Sequence, residues 1–374
     1  MIQFDQEELV KATERFSPSR LLGKGSHGSV YRGNILEESR PVAIKKPSIG
    51  VDHVSNDNSR KLENEIHVLS SLRQSPYIIN FLGTSDVDDS EKGKKKKLLV
   101  MEFMPNGSLH DLLHAPASTP PSWPKRVEIA VQVGRAIQFL HENKPVVIHR
   151  DIKSANVLFD SSWKAKLADF GLAVLRMDSA GHSHHHQASQ PAGTIGYLDP
   201  CYTTPSKLST RNDVFSYGVV LLEIISGRKV IDITRTPASI VEWAVPLIQK
   251  QRVVEICDKR VALPAFMEST IRHLLGVAAR CVSCKEEARP SMVEVVAGMD
   301  NCLSKRVKTP SWTSLLRSLV LMRRKSSKFA KQRKQQAKCA AEKCGGCGDK
   351  THMSSELTKG KLMLREILAD ITVK

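Results

Sequence analysis

The chain has 374 residues, 41% hydrophobic and 25% charged, the composition of an ordinary globular protein with length for two or three compact units. Its formal charge of +17 is uneven: residues 304–374 hold 18 Lys+Arg against 5 Asp+Glu, a net +13, which leaves +4 for the first 303. The start MIQFDQEELV lacks a signal peptide's basic and apolar regions and a Met-Gly acylation start, and no run of eighteen apolar residues occurs, so a secreted or membrane-spanning protein is not expected; in an intracellular, cytoplasmic one the eight cysteines read as free thiols.

Glu7–Phe16 carries helical spacing and leads through Ser17-Pro18 into Leu21-Leu22-Gly23-Lys24-Gly25-Ser26-His27-Gly28-Ser29-Val30-Tyr31. This G-x-G-x-x-G-x-V run lies between two β-prone segments, and no helix signal follows it, as a dinucleotide fold would require. A strand-turn-strand flap is predicted, with backbone N–H groups over phosphates and glycines allowing close approach. Leu22, Gly23, Lys24, Gly25, Ser26, His27, Gly28, Ser29 and Val30 are therefore candidate nucleotide contacts. On its own the run is equally a plain glycine-rich hairpin. Pro41–Lys46 is an apolar strand ending in lysine, and Lys45 there would reach phosphates if a carboxylate held it. Glu65 is the candidate, in a predicted helix Arg60–Leu72 whose apolar face includes Ile66 and Leu69, with Glu63 its near rival.

Tyr77–Gly83 reads as a strand, Asp86–Lys97 as a polar insert ending in a solvated hairpin tip, and Leu98–Met104 as a strand that breaks at Pro105-Asn106-Gly107. These segments close a small, mostly antiparallel lobe and supply a hinge, where backbone groups at Glu102–Met104 suit an adenine edge. Helices follow: Ser108 caps Leu109–His114, and Arg126–Asn143 repeats apolar residues at Val127, Ala130, Val133, Ile137 and Leu140 before Pro145. Val146–Asp169 (VVIHRDIKSANVLFDSSWKAKLAD) is the stretch the rest serves, with His149, Arg150, Asp151, Lys153 and Asn156 on one short turn and Asp169 a hairpin's length on. Beyond it come a Ser/His/Gly-rich loop with His182 and His184–His186, a strongly apolar helix over Asn212–Ser226, and amphipathic stretches to about Cys302. The pairs Cys281-x-x-Cys284 and Cys344-x-x-Cys347 are too far apart to read as one zinc site.

With these motifs in place, roughly Pro18–Leu303 resembles a eukaryotic protein kinase domain. LVKATERFSPSRLLGKG, LVMEFMPNGSL, GTIGYLDPCY, DVFSYGVVLLEIISGRK and ARPSM resemble the plant receptor-like kinase and Pelle group, including its cytoplasmic and crinkly-type members. The resemblance implies an α+β, two-lobed fold: a lead-in at 1–17, a small lobe at 18–104 and a large lobe at 105–303. It also implies ATP with Mg²⁺ or Mn²⁺, transfer to protein Ser/Thr hydroxyls, and an upstream receptor kinase. By the same resemblance Asp151 takes the substrate proton, Lys153 steadies the γ-phosphoryl group, Asn156 and Asp169 hold the metal, and Lys45 with Glu65 positions the α/β-phosphates. Glu102 and Met104 lie at the hinge, with Met101 at the back of the pocket, and Asp213 braces the catalytic loop. Arg150 would pair with a phosphorylated activation loop, for which Ser183, Ser189 and Thr194 are the candidates. His27 stands where an aromatic residue is common. Cys201 replaces the glutamate that usually pairs with the arginine at Arg289, so either another carboxylate or carbonyl takes over or the large lobe is looser, with some loss of stability. The alternative, a pseudokinase scaffold switched by nucleotide, would be marked by loss of Lys45, Asp151 or Asp169; all three are present.

The tail, 304–374, lies outside the resemblance. An apolar-faced segment, Trp312–Met322, followed by the basic run Arg323–Lys334 suits an anionic membrane surface, with Cys339, Cys344 and Cys347 as acylation sites. The same run also fits nuclear import or a solvated tail, and nucleic acid is the less favoured partner.

Overall fold

The computed structural model describes residues 2–25, 28–35, 41–48, 52–89, 94–176 and 190–304. The tail and its partners, Ser26, His27, Ser183, Ser189 and the histidines at 182–186 lie outside the described residues.

The chain opens with strand β1 (Ile2–Gln3) and helix α1 (Gln6–Ala12), which Asp5 caps by accepting the Glu8 amide. The helix ends four residues short of the expected Phe16, because Glu14, Arg15 and Phe16 adopt φ of 52°, 60° and 55°. Thr13 forms this turn by donating to Leu9 O and accepting from the Phe16 amide. Strands β2 (Leu21–Lys24), β3 (Gly28–Asn34) and β4 (Pro41–Pro47) follow, then helix α2 (Asp52–Ser71), then β5 (Phe81–Asp89) and β6 (Lys94–Glu102). They form one sheet in the order β1-β5-β6-β4-β3-β2, antiparallel throughout except for β1 beside β5. Leu9 and Ala12 of α1 join Phe4, Ile35, Val42, Ile44, Leu98 and Val100 in a core on one face of the sheet. Helix α2 covers the other face with Leu62, Ile66 and Leu69.

Other expected boundaries of the small lobe move as well. Helix α2 starts eight residues before Arg60, and the strand expected at Tyr77 begins at Phe81, with Ile78 making a single bridge to Leu167. The polar insert extends the β5–β6 ladder, in which Asp86 stands opposite Lys97, an opposite-charge pairing that favours a strand.

The larger lobe is helical. Helix α3 (Leu109–His114) carries a full capping box between Ser108 and Asp111, and α4 (Trp123–Glu142) starts three residues earlier than its periodicity indicated, on Pro124 in its first turn. All five predicted α4 core residues are buried. Strand β7 (Val146–Ile148) pairs with β10 (Val174–Arg176), and β8 (Val157–Phe159) with β9 (Ala165–Leu167). Helix α5 (Thr210–Ser226) is buried from Asn212 to Ile225, the expected fate of a helix apolar on every side, and stops where Gly227 takes φ 61°. Helices α6 (Ile240–Gln249), α7 (Val253–Ile256), α8 (Ala265–Cys281) and α9 (Met292–Ser304) complete the lobe. No helix among the described residues is long and apolar enough to cross a membrane. Five cysteines are free there, with Cys281 buried and Cys284 exposed.

Candidate active site

The loop between β7 and β8 is shaped from beneath. Its turn needs Arg150 at φ 69°, and Asp213, in the first turn of α5, accepts the amides of His149 and Arg150 at 2.9 Å each. Burial alone would raise the Asp213 carboxyl, but donors from His141 and the His149 amide outweigh it and hold the group below its usual range. His149 is buried edge-on to Phe170, with ring centroids 4.8 Å apart. Its Nδ1 accepts the Asp151 amide at 3.3 Å and its Nε2 faces the Ala168 carbonyl at 3.1 Å, which assigns the proton to Nε2. Burial pulls this imidazole below the usual histidine range.

The carboxylate this loop presents is Asp151. Oδ2 accepts from Lys153 Nζ at 2.7 Å and Asn156 Nδ2 at 3.1 Å; Oδ1 accepts from Thr194 Oγ1 at 2.6 Å. Lys153 also donates to Thr194 Oγ1 at 2.9 Å. A second cluster hangs from β4 and α2, where Lys45 Nζ donates to Glu65 Oε2 at 2.6 Å and Asp169 Oδ1 at 2.9 Å. Glu65 is thus the lysine's partner, and its rival Glu63 is exposed. Burial would lower the Lys45 ammonium, but the two carboxylates outweigh it and hold it above the usual lysine range. Glu65 Oε1 also accepts the Phe170 amide at 3.3 Å, so one carboxylate ties β4, α2 and the Asp169-Phe170-Gly171 turn together.

Over this cleft lies the β2–β3 hairpin, closed by Gly25 N–H donating to Gly28 O at 2.9 Å. Its glycines have different reasons. A Cβ on Gly28 would stand 2.6 Å from the Lys46 carbonyl, so strand packing demands glycine there. At Gly23 a Cβ would meet nothing within 4 Å, and at Gly25 only Gly28 O at 3.6 Å; packing against the described residues requires neither glycine, as fits space left for a ligand's phosphates. Leu22 and Lys24 are exposed, and Ser29 and Val30 half-buried. At the hinge Met104 is buried, while the Glu102 amide already donates to Asn80 O.

A scan of family models matches the protein kinase domain over residues 16–299. The chain is a protein kinase. It is 48% identical over 343 residues to a serine/threonine-protein kinase-like protein of Arabidopsis thaliana, covering 88% of this chain and 96% of that one. It is 39% identical over 333 residues to the Arabidopsis serine/threonine-protein kinase-like protein CCR4, and 36% over 304 to the proline-rich receptor-like protein kinase PERK8. Those matches cover 85% and 79% of this chain but 43% and 42% of the relatives. The kinase is of the plant serine/threonine, Pelle-group kind, and its domain uses ATP with a divalent metal on protein substrates. Asn156 and Asp169 offer only hard oxygen donors to such an ion, which fits that use.

Some site features were not legible as motifs. Asn64, beside Glu65, donates through Nδ2 to the carbonyls of Phe170, Gly171 and Ala173, the last at 2.9 Å, latching α2 to the Asp169 turn. The Glu102 side chain accepts the Asn80 amide and Lys166 Nζ at 2.6 Å each, bracing the hinge against β9. Arg289 decides between the two expectations at position 201. It is fully buried and makes a two-pronged ion pair with Asp199, Nη1 to Oδ2 and Nη2 to Oδ1, with Nε donating to Ser283 O at 2.9 Å. The carboxylate two residues before Cys201 has taken the missing glutamate's place, so no unpaired cation loosens the lobe. Cys201 itself donates to the Cys284 carbonyl.

Proposed function

We propose that the kinase transfers the γ-phosphoryl group of Mg²⁺-bound ATP to protein serine and threonine hydroxyls, with Asp151 as the proton acceptor. Among the described residues Oδ2 of Asp151 has two donors and Oδ1 only Thr194, so the spare lone pair for a substrate hydroxyl is on Oδ1. As the hydroxyl oxygen bonds to phosphorus, its proton passes to Asp151 and the leaving phosphate oxygen stays on the nucleotide. Lys153, 2.7 Å from Asp151, lies where it steadies the transferred group, and Lys45 is held for the α/β-phosphates. Asn156 and Asp169 would hold Mg²⁺ (or Mn²⁺), which when bound neutralises phosphate charge. Leu22, Gly23, Lys24, Gly25, Gly28, Ser29 and Val30 would cover the nucleotide, with Glu102 O and Met104 taking the adenine edge. The observation that carries this reading is the meeting of the Lys45–Glu65–Asp169 and Asp151–Lys153–Asn156–Thr194 clusters at one cleft. Phosphate incorporation from labelled ATP into a basic protein substrate tests it: Asp151→Asn should lose about 10²–10⁴-fold, and equal rates in the two proteins would refute it.

Regulation by activation-loop phosphorylation is part of the same reading. Arg150 Nη2 donates to Gln190 O at 2.8 Å, while its buried Nε has no partner among the described residues, leaving donors for a phosphate. Thr194 is a poor choice of phosphosite, because a phosphate there would face Asp151; Ser183 and Ser189 are the better two. An upstream receptor kinase is the proposed source of that phosphate. For the tail we propose contact with an anionic membrane, tested by co-sedimentation with phosphatidylserine vesicles: loss of residues 304–374 should abolish pelleting, and equal pelleting refutes the contact.

A further inference from the structure

Glu223, in α5, is a carboxylate with 1% of its side chain exposed. Oε1 accepts from Ser154 Oγ at 2.8 Å and meets His114 Nε2 at 2.8 Å; Oε2 accepts from the Tyr197 phenol at 2.7 Å. Both hydroxyls are neutral: burial, with the Glu223 charge beside it, raises the Tyr197 phenol far above its usual range. Among the described residues no lysine or arginine pairs with Glu223, and His114 Nε2 is its one nitrogen partner.

The His114 side has a second imidazole. His110 and His114 sit one turn apart on α3, their ring centroids 4.9 Å apart, with His110 exposed and His114 half-buried. A ligating atom from each of His110, His114 and Glu223 lies within 4.8 Å of the others. Two imidazoles and a carboxylate are the donor set of three-ligand zinc sites that keep a fourth position open. Tetrahedral donors about 2.0–2.2 Å from an ion stand roughly 3.3–3.5 Å apart. Reaching that geometry needs the Glu223–His114 contact to open slightly and the exposed His110 ring to swing inward, both side-chain motions.

We propose that His110, His114 and Glu223 form a binding site for a Zn²⁺-class divalent ion, distinct from the oxygen donors Asn156 and Asp169. Capture exchanges the proton between His114 Nε2 and Glu223 for the ion; that proton moves to Nδ1 or, from an imidazolium, to solvent. Through Glu223 the ion is coupled to Ser154 in the catalytic loop and to Tyr197 in the segment that carries Thr194, fastening α3 to both. The site stands independently of the phosphoryl-transfer roles assigned above.

The histidines at 182–186 and the tail cysteines are also of zinc-ligand types, so total uptake does not identify this site. The test is a titration of the full-length chain with Zn²⁺ against a chromophoric chelator, comparing wild type, His110→Ala and Glu223→Gln. Wild type should hold one equivalent that His110→Ala loses or binds at least about tenfold more weakly, the remaining equivalents being unchanged; Mg²⁺ should not compete for it. Because His110 is exposed, His110→Ala should melt with wild type in the absence of zinc, which keeps the comparison valid if Glu223→Gln fails to fold. Identical stoichiometry and affinities in wild type and His110→Ala overturn the proposal.

Discussion

Arg289 offers the sharpest test of how this kinase does without the usual glutamate at position 201. Its guanidinium and the Asp199 carboxylate have no exposed side-chain surface, and Asp199 also accepts from Asn212 Nδ2 at 2.7 Å and the Cys201 amide at 2.9 Å. Removing one partner of such a buried pair costs about 3–5 kcal/mol, because it strands a charge away from water. Unfolding a domain of this size carries an entropy of roughly 0.6 kcal/mol/K, at about 2.1 cal/mol/K per residue, so Asp199→Asn should lower the melting temperature by roughly 5–8 °C. Cys201→Glu has little left to gain: Arg289 Nη1, Nη2 and Nε already have acceptors in Asp199, the Arg211 carbonyl and the Ser283 carbonyl. Its melting temperature should stay within about 2 °C of wild type, the shift expected for a change under about 1 kcal/mol. Differential scanning fluorimetry on the full chain reads both. A rise in Cys201→Glu comparable to the fall in Asp199→Asn would mean that Arg289 is under-paired, and the substitution argument would fail.

Other outcomes follow from the site's packing. Gly23→Ala should leave stability unchanged and raise the KM for ATP, whereas Gly28→Ala should destabilise the small lobe, since its Cβ would press on the Lys46 carbonyl at 2.6 Å; equal melting temperatures for the two would contradict this division. Thr194→Val removes a donor to Asp151 and should lower kcat by about 10–150-fold, the loss expected for a hydrogen bond of roughly 1.5–3 kcal/mol to a charged group. Thr194→Glu, placing a like charge there, should lower it further; a gain of activity would restore Thr194 as an activating phosphosite. Acid should destabilise the kinase near neutrality. His149 is held below its unfolded value near 6.5, so the unfolded chain binds a proton that the native chain refuses, and stability falls as pH drops through about 6.5. Asp213, held low in the native state, adds loss of the same sign at lower pH. A melting temperature flat from pH 7.5 to 5.5 would refute the buried neutral imidazole.

Much of the site was legible because phosphoryl transfer fixes residue types at fixed offsets: Lys45, Asp151, Asn156 and Asp169 could be read from motif order. Glu65 was the preferred partner for Lys45 and Glu63 its rival in the same helix; removing the rival needed the third dimension, where Glu65 is buried on Lys45 and Glu63 is exposed. Asn64 and the Glu102 side chain escaped because their partners are backbone groups or residues tens of positions away, which no local pattern marks. The fold's misreadings have local causes as well. The α1 spacing continued into a left-handed turn that apolar periodicity does not register, and the charged run at 86–97 looked like a loop because Asp86 and Lys97, at its two ends, come opposite each other only once β5 and β6 pair. Arg289 shows the limit most plainly. Comparing one position with a motif implied a missing partner, while the actual partner stood two residues away with an identity that was unremarkable in sequence.

The two strained backbones of the site explain why so much buried polarity surrounds it. Arg150 and Asp169 hold φ of 69° and 64°, a conformation that costs a residue with a Cβ about 1–2 kcal/mol. At Arg150 the turn is enforced by Asp213, whose two carboxylate oxygens each take one amide of the His149-Arg150 pair; hydrogen bonds to a charged group contribute roughly 1.5–3 kcal/mol each. That range exceeds the strain, so the turn is fixed before any substrate arrives. At Asp169 the same conformation aims the carboxylate at Lys45, while Phe170 is buried against His149 and its amide is held by Glu65. His149 thus packs on Phe170 while accepting the Asp151 amide, and through that one ring the Asp151 carboxylate and the Asp169 turn keep a common register. Under the proposed mechanism, whose acceleration depends on where Asp151 and Asp169 stand, Asp213 and His149 are therefore positioning residues.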